Sequence, residues 1–271
     1  MKISIITPSY NQASFIERTI ISVLEQNYPE FEHIIIDGGS TDNTLNILKK
    51  YKHLKWVSEK DKGQSEAINK GFRKATGDII AFLNSDDTYS KGSFFMVNEY
   101  FINNPDKKWA CGKCRIININ DVEIRRYITL YKNLLLKRYT YKNLLKENFI
   151  SQPAVFWKRE LIEEIGYLNE NEHFCMDYEY WLRIGQKYDA GIICYYLSNF
   201  RYYPSSKSGS VNKNQFLDEL RIAHLYGKKY PFSLFLHKLN YYKIIIIYNI
   251  LNFSVNKCKR LNKGNFIKLS H

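Results

Sequence analysis

Apolar and polar positions alternate in blocks along the first ninety residues. Ile3, Ile5 and Ile6 form a short apolar run that stops at Pro8, and Phe15, Ile16, Ile20, Val23 and Leu24 follow at helical spacing within 14–27. The unit recurs: His33-Ile34-Ile35-Ile36 reads as a buried strand ending at Asp37-Gly38-Gly39, and Ser40 caps a helix from about Thr41. Residues 54–57 predict a third strand and 65–75 a third helix. Ile79-Ile80-Ala81-Phe82-Leu83 is apolar throughout, as a central parallel strand is, and ends abruptly in Asn84-Ser85-Asp86-Asp87.

Strands alternating with helices predict an α/β fold with a mostly parallel central sheet flanked by helices, its ligands bound at the carboxyl ends of the strands. Past Trp109 the alternation weakens, and 119–150, rich in Lys, Arg, Tyr and Asn, reads as an insertion over the site. Order returns with a strand at Ala154-Val155-Phe156-Trp157 and a helix over 177–187 whose apolar face carries Trp181, Leu182 and Ile184. This divides the chain into a principal domain, 1–210, and a basic, amphipathic helical extension, 211–271.

Charge sharpens that division. The formal net charge is +13, and residues 201–271 hold 13 Lys/Arg against two Asp/Glu, so the basicity belongs to the extension. Clustered cations suit nucleic acid, lipid-linked phosphates or an anionic membrane face. Phe232, Leu234, Phe235, Leu239, Tyr241, Tyr242 and the run Ile244 to Ile247 favour a helix lying on a membrane surface. The apolar stretch there is too short to span a bilayer, and the N-terminal one too short for an export signal. Both point to a cytoplasmic protein held peripherally at the membrane. Five cysteines then read as reduced thiols, and Cys111 and Cys114 lack a second pair to complete a zinc site.

Asp86 and Asp87 follow a buried strand directly, which sets two carboxylates side by side at the ligand edge. A divalent cation relieves their repulsion, and Mg²⁺ or Mn²⁺ accepts one or two carboxylates while keeping phosphate oxygens and waters. Asp87 is the first choice as ligand, with Asp86 beside it. A helix cap or turn accounts for the dipeptide if it is taken alone.

The surrounding motifs change that balance. Thr7-Pro8-Ser9-Tyr10-Asn11, Asp37-Gly38-Gly39-Ser40-Thr41-Asp42 and Leu83-Asn84-Ser85-Asp86-Asp87 resemble, in order and context, the motifs of the inverting family-2 glycosyltransferases, which have the GT-A fold. The resemblance runs on through Asp61-Lys62-Gly63-Gln64, Ala67-Ile68-Asn69-Lys70-Gly71 and Ser151-Gln152-Pro153-Ala154 to Met176-Asp177-Tyr178-Glu179. It implies transfer of a sugar from a nucleotide-diphosphate donor to a glycan or lipid-linked acceptor, as in bacterial polysaccharide biosynthesis. By the same resemblance Pro8, Ser9, Tyr10, Asp37, Lys62, Gln64, Asn69 and Asp86 face the donor, and Asp87 and Asp86 hold the metal. Asp177 is the catalytic base, and Gln152, Trp181 and Arg183 lie on the acceptor side, although Trp181 and Arg183 suit packing and ion pairing equally.

Three positions depart from the family pattern. Gly38 stands where many relatives carry a second acid that meets a uracil ring, which leaves the donor base open. Tyr203 stands near a frequent histidine, and Met176 replaces the acid that often precedes Asp177. A nucleotidyltransferase is the competing enzyme class, but the Gly-rich, basic loop it needs after the first strand is missing. No nucleic-acid-binding motif is evident, and no nucleic-acid partner is expected.

Overall fold

A computed structural model describes residues 1–207, 209 and 213–246. The alternating half follows the apolar runs. Strands β1 (Ile3–Ser9), β2 (Phe31–Asp37), β3 (Leu54–Ser58) and β4 (Ile79–Phe82) are linked by α1 (Ile16–Leu24), α2 (Thr44–Leu48) and α3 (Gln64–Lys74). All four strands are parallel, in the order β3-β2-β1-β4. Their side chains alternate between two buried faces: Ile79 and Ala81 join one apolar cluster, Ile80 and Phe82 the other. Sheets covered on both faces need such unbroken apolar runs. Gly71 lets α3 lie close on β1, since a Cβ there would meet Ile6 Cγ2 at 2.3 Å.

The second half adds β5 (Thr88–Tyr89), α4 (Ser93–Asn103), β6 (Trp109–Ile117), α5 (Arg126–Lys137) and α6 (Tyr141–Leu144). It continues through β7 (Val155–Lys158), α7 (Glu160–Ile165), α8 (Met176–Gly185), β8 (Gly191–Arg201) and α9 (Lys213–Tyr226). The eight-stranded sheet runs β3-β2-β1-β4-β7-β6-β8-β5, with β7 antiparallel to both neighbours and β5 antiparallel to β8. β6 and β8 are the strands that the weakening alternation past Trp109 concealed. Cys111 and Cys114 on β6 pack into opposite apolar clusters, so the pair cannot share an ion. The expected insertion becomes α5 and α6. α9 packs against α8, and a further helical run over 231–246 is anchored where His237 Nδ1 meets the Leu145 carbonyl at 2.8 Å. The remainder of the basic extension, including Ile247 and Cys258, lies outside the described residues.

Candidate active site

The carboxyl ends of β1, β4, β6 and β8 and the segment before β7 open onto a cavity of about 940 Å³, closed on its far side by α5, the start of α8 and α9. Of the residues expected at the site, Pro8, Ser9, Tyr10, Gln64, Asp86, Gln152 and Asp177 line it. Ser9 is buried with no partner for its hydroxyl, whereas Tyr10 sits at the rim, 60% exposed.

The two acids after β4 divide. Asp86 faces the cavity, where the Tyr203 hydroxyl donates to its Oδ2 at 2.9 Å. Asp87, the expected first metal ligand, does not line the cavity. Its Oδ1 accepts from the Arg201 amide at 2.8 Å and its Oδ2 from Asn84 Nδ2 at 3.3 Å, and the residue is fully buried. Arg201, itself buried, donates from Nε to the Asp86 carbonyl at 2.7 Å and ties the turn to the end of β8. The Asp87 carboxylate is thus held by protein groups and stays out of the cavity lining. Burial raises the pKa of both acids, Asp87 the more because the charge of Asp86 adds to it.

Three amides brace the same wall. Gln64 Nε2 donates to Asn84 Oδ1 at 2.7 Å, Asn84 Nδ2 to Gln152 Oε1 at 3.2 Å, and Gln152 Nε2 to the Phe82 carbonyl at 2.6 Å. Lys207, on the loop after β8, reaches Gln64 Oε1 at 3.1 Å and the His173 carbonyl. Burial lowers the Lys207 pKa, while Asp177 draws it back.

Asp177 enters from the first turn of α8, its Oδ1 accepting from the Tyr178 amide at 2.8 Å. Burial raises its pKa against the opposing pull of that amide and of Lys207 and Lys132. A carboxylate held in this way is a stronger base than a solvated one.

The other expected residues serve the frame. Asp37 is fully buried and spends its carboxylate on the Gly39 and Ser40 amides and the Ser40 and Ser58 hydroxyls. Asn69 clamps the backbone of Leu168, donating to its carbonyl and accepting from its amide, each at 3.0 Å. Trp181 stacks on Trp109 with ring centroids 5.8 Å apart, and Arg183 pairs with Glu179 at 2.8 Å. Lys62 is exposed, and none of these five lines the cavity. Its neighbour Asp61 does, standing over Gly38 so that a Cβ there would meet Asp61 Oδ2 at 2.7 Å. Asp61 belongs to the Asp61-Lys62-Gly63-Gln64 motif, and the sequence alone gives no sign that it stands beside Gly38.

Asp86 is the acid of the cavity wall that could hold a hard divalent cation. Asp86 offers an oxygen ligand whose charge burial leaves poorly compensated, and among the described residues no three His, Cys, Asp or Glu gather to hold a metal unaided. A cation that retains waters and diphosphate oxygens needs no larger protein set.

The sequence model described as Glycosyl transferase family 2 matches residues 4–166, more than half of the chain. The chain belongs to glycosyl transferase family 2. Among its family relatives, TuaG of Bacillus subtilis, named for teichuronic acid biosynthesis, is 43% identical over 95 residues, covering 33% of this chain and 37% of TuaG. WfgD of Escherichia coli, a UDP-Glc:alpha-D-GlcNAc-diphosphoundecaprenol beta-1,3-glucosyltransferase, is 28% identical over 249 residues, covering 88% of this chain and 91% of WfgD. The chain spans only about a third of the length of several other curated relatives. The crystal structure of S. aureus TarS 1-349 in complex with UDP-GlcNAc superposes with a TM-score of 0.63 at 19% identity, over 83% of this chain and 66% of that one. That likeness shows the GT-A fold of the family.

Proposed function

We propose that the chain is an inverting, cation-dependent glycosyltransferase that moves a sugar from a nucleotide-diphosphate donor to a hydroxyl of a glycan or lipid-linked acceptor in cell-surface polysaccharide synthesis. The observation that carries this reading is that Asp86 and Asp177, delivered by different halves of the fold, line one cavity at the carboxyl edge of the sheet.

The donor occupies the β1–β4 side. Asp61 supplies to the nucleotide the carboxylate that Gly38 lacks. Asp86 would hold Mg²⁺ or Mn²⁺, which would supply positive charge to neutralise the departing diphosphate. Lys207, on the loop after β8, offers its ammonium to that diphosphate. Asp177 takes the proton from the acceptor hydroxyl as its oxygen attacks the anomeric carbon. The bond from that carbon to the diphosphate oxygen breaks on the opposite face, its electron pair leaving with the diphosphate. Asp87 and Arg201 act as braces that fix where Asp86 points.

The helical run over 231–246 supports attachment to an anionic membrane. Phe232, Phe235, Leu239, Tyr242 and Ile246 are each about half exposed or more and recur every three or four residues, forming one apolar stripe. Lys238 and Lys243 lie on the same run, and no helix among the described residues is long and apolar enough to cross a membrane. A surface-lying helix fits both facts. Vesicles containing anionic lipid should carry the protein upward in a flotation gradient, and flotation that persists after deletion of residues 230–271 would remove this part of the proposal.

Activity is tested by incubating the protein with Mn²⁺ or Mg²⁺ and a panel of nucleotide sugars while following nucleoside diphosphate release and thermal shift. At least one donor should be hydrolysed slowly in a cation-dependent manner. No response to any donor would defeat the proposal.

A further inference from the structure

We propose that Glu219, carried into the cavity by α9, belongs to an acceptor-sugar subsite with Thr129, Lys132, Asn148 and Gln215. Its carboxyl hydrogen-bonds a hydroxyl of the same sugar that presents its nucleophilic hydroxyl to Asp177. The inference rests on the transferase reading and adds to it the residues that select the acceptor.

Separate segments build this end of the cavity. Thr129 and Lys132 come from α5, Asn148 from the loop after α6, and Gln215 and Glu219 from α9, all on the same cavity wall as Asp177. Gln215 and Glu219 lie beyond residue 166, where the family match stops.

Two polar atoms on this wall have no partner. Thr129, 1% exposed, leaves its Oγ1 unsatisfied, and the buried Oδ1 of Asn148 is unsatisfied as well. Buried polar groups are normally hydrogen-bonded, so two orphans in residues that line one cavity leave capacity there for a further bond. Neither orphan carries a charge, which suits a neutral polyol better than a phosphate. Phe174 and Phe216 line the cavity too, and aromatic surface among polar groups fits the C–H face and hydroxyl rim of a pyranose.

Glu219 adds adaptability. Burial, and then the charge of Asp177, push its carboxyl up to about 7, while Lys132 and hydrogen bonds from Asn148 and Gln215 pull the other way. Near neutral pH it can therefore donate a hydrogen bond as well as accept one.

The test uses octyl β-glycosides of glucose, galactose and N-acetylglucosamine as acceptor probes with a hydrolysable nucleotide sugar. Wild type is compared with E219A, E219Q and T129V, reading transfer to glycoside against donor hydrolysis. E219A should lower the ratio of transfer to hydrolysis roughly 10–100-fold through a higher glycoside KM, as loss of a charge-assisted hydrogen bond does, and E219Q should lower it less. T129V removes a hydroxyl that the free protein leaves unpaired, so it should keep the wild-type melting temperature and still raise glycoside KM. A glycoside KM unchanged in all three variants would overturn the subsite. So would an equal fall of transfer and hydrolysis with a lowered melting temperature. Wild-type protein that hydrolyses no donor would instead bring down the transferase reading and this inference with it.

Discussion

Carboxylates at the two edges of the same sheet live under opposite conditions. At the amino edge Glu32 is 5% exposed and its carboxylate accepts from Ser4 Oγ at 2.5 Å, Lys55 Nζ at 2.6 Å and the Thr76 amide at 2.7 Å. Burial alone would raise its pKa, but hydrogen bonds from Lys55, Ser4 and Thr76 outweigh that and hold it at about 2. At the carboxyl edge Asp86, Asp177 and Glu219 are all pushed upward, and Ser9, Thr129 and Asn148 keep unpaired polar atoms. The buried acid Glu32 completes its hydrogen bonds within the fold, whereas residues lining the cavity keep polar atoms unpaired. Perturbed acids and unsatisfied groups in one concave place are the physical mark of a site, and a closed network of similar charge is the mark of a scaffold.

Removing the base should strain that contrast most. Asp177→Asn is expected to lower turnover roughly 10²–10⁴-fold while donor KM changes little, because the lost group acts in the transition state. The sign of its pH dependence follows from burial. A raised pKa keeps Asp177 protonated, and inactive as a base, to a higher pH than the ordinary 3.8, so activity is lost as pH falls through that raised value. A pH profile of donor hydrolysis checks this. An acid limb at or below the ordinary carboxylate range would show that the base is another group.

The adjacent acids after β4 allow a finer division. Asp86→Asn should leave the melting temperature near wild type and weaken cation affinity by more than the roughly 10–100-fold that loss of an outer-shell partner costs. Asp87→Ala should act through the frame, leaving the Arg201 amide without its partner and lowering stability by about 1–3 kcal/mol. Titrating Mn²⁺ against the melting temperature of each variant separates the two. Equal behaviour would mean that the pair acts as one ligand.

That division shows where the sequence stops being legible. β1, β2 and β4 could be read because both their faces are apolar, and the loops after them because polar residues end each run sharply. β6 and β8 could not. Their register shifts between Gly112 and Cys114, which breaks the period-two pattern, and polar or charged residues such as Lys113, Arg115, Ser198 and Asn199 interrupt the runs. Within the site the motifs located the turn but not the direction of its side chains. Asp87, which does not line the cavity, accepts from the backbone of Arg201, more than a hundred residues away. Asn69 and Asp37 sit in motifs yet serve the frame, because a motif marks a place in the fold and burial decides what the side chain does there. Glu219 carries no local signal at all, standing on a helix whose other acid, Asp218, ion-pairs with Arg221.

Glu32 gives the smallest expected effect and tests the quiet half of the comparison. Glu32→Gln should cost about 1–3 kcal/mol, since an amide cannot accept from Lys55 as a carboxylate does, and should leave donor hydrolysis at the wild-type rate. Its folded pKa of about 2 lies below the ordinary 4.5, so its stabilisation is fully present above about pH 4.5 and fades as pH falls toward 2. Urea denaturation of the two proteins should therefore give a stability gap that is constant from neutral pH to about 5 and narrows below 4.5. A gap that persisted undiminished at pH 2 would mean that Glu32 acts through packing instead of charge. The amino edge would then hold by shape, and the contrast between the two edges would no longer be one of satisfied against unsatisfied acids.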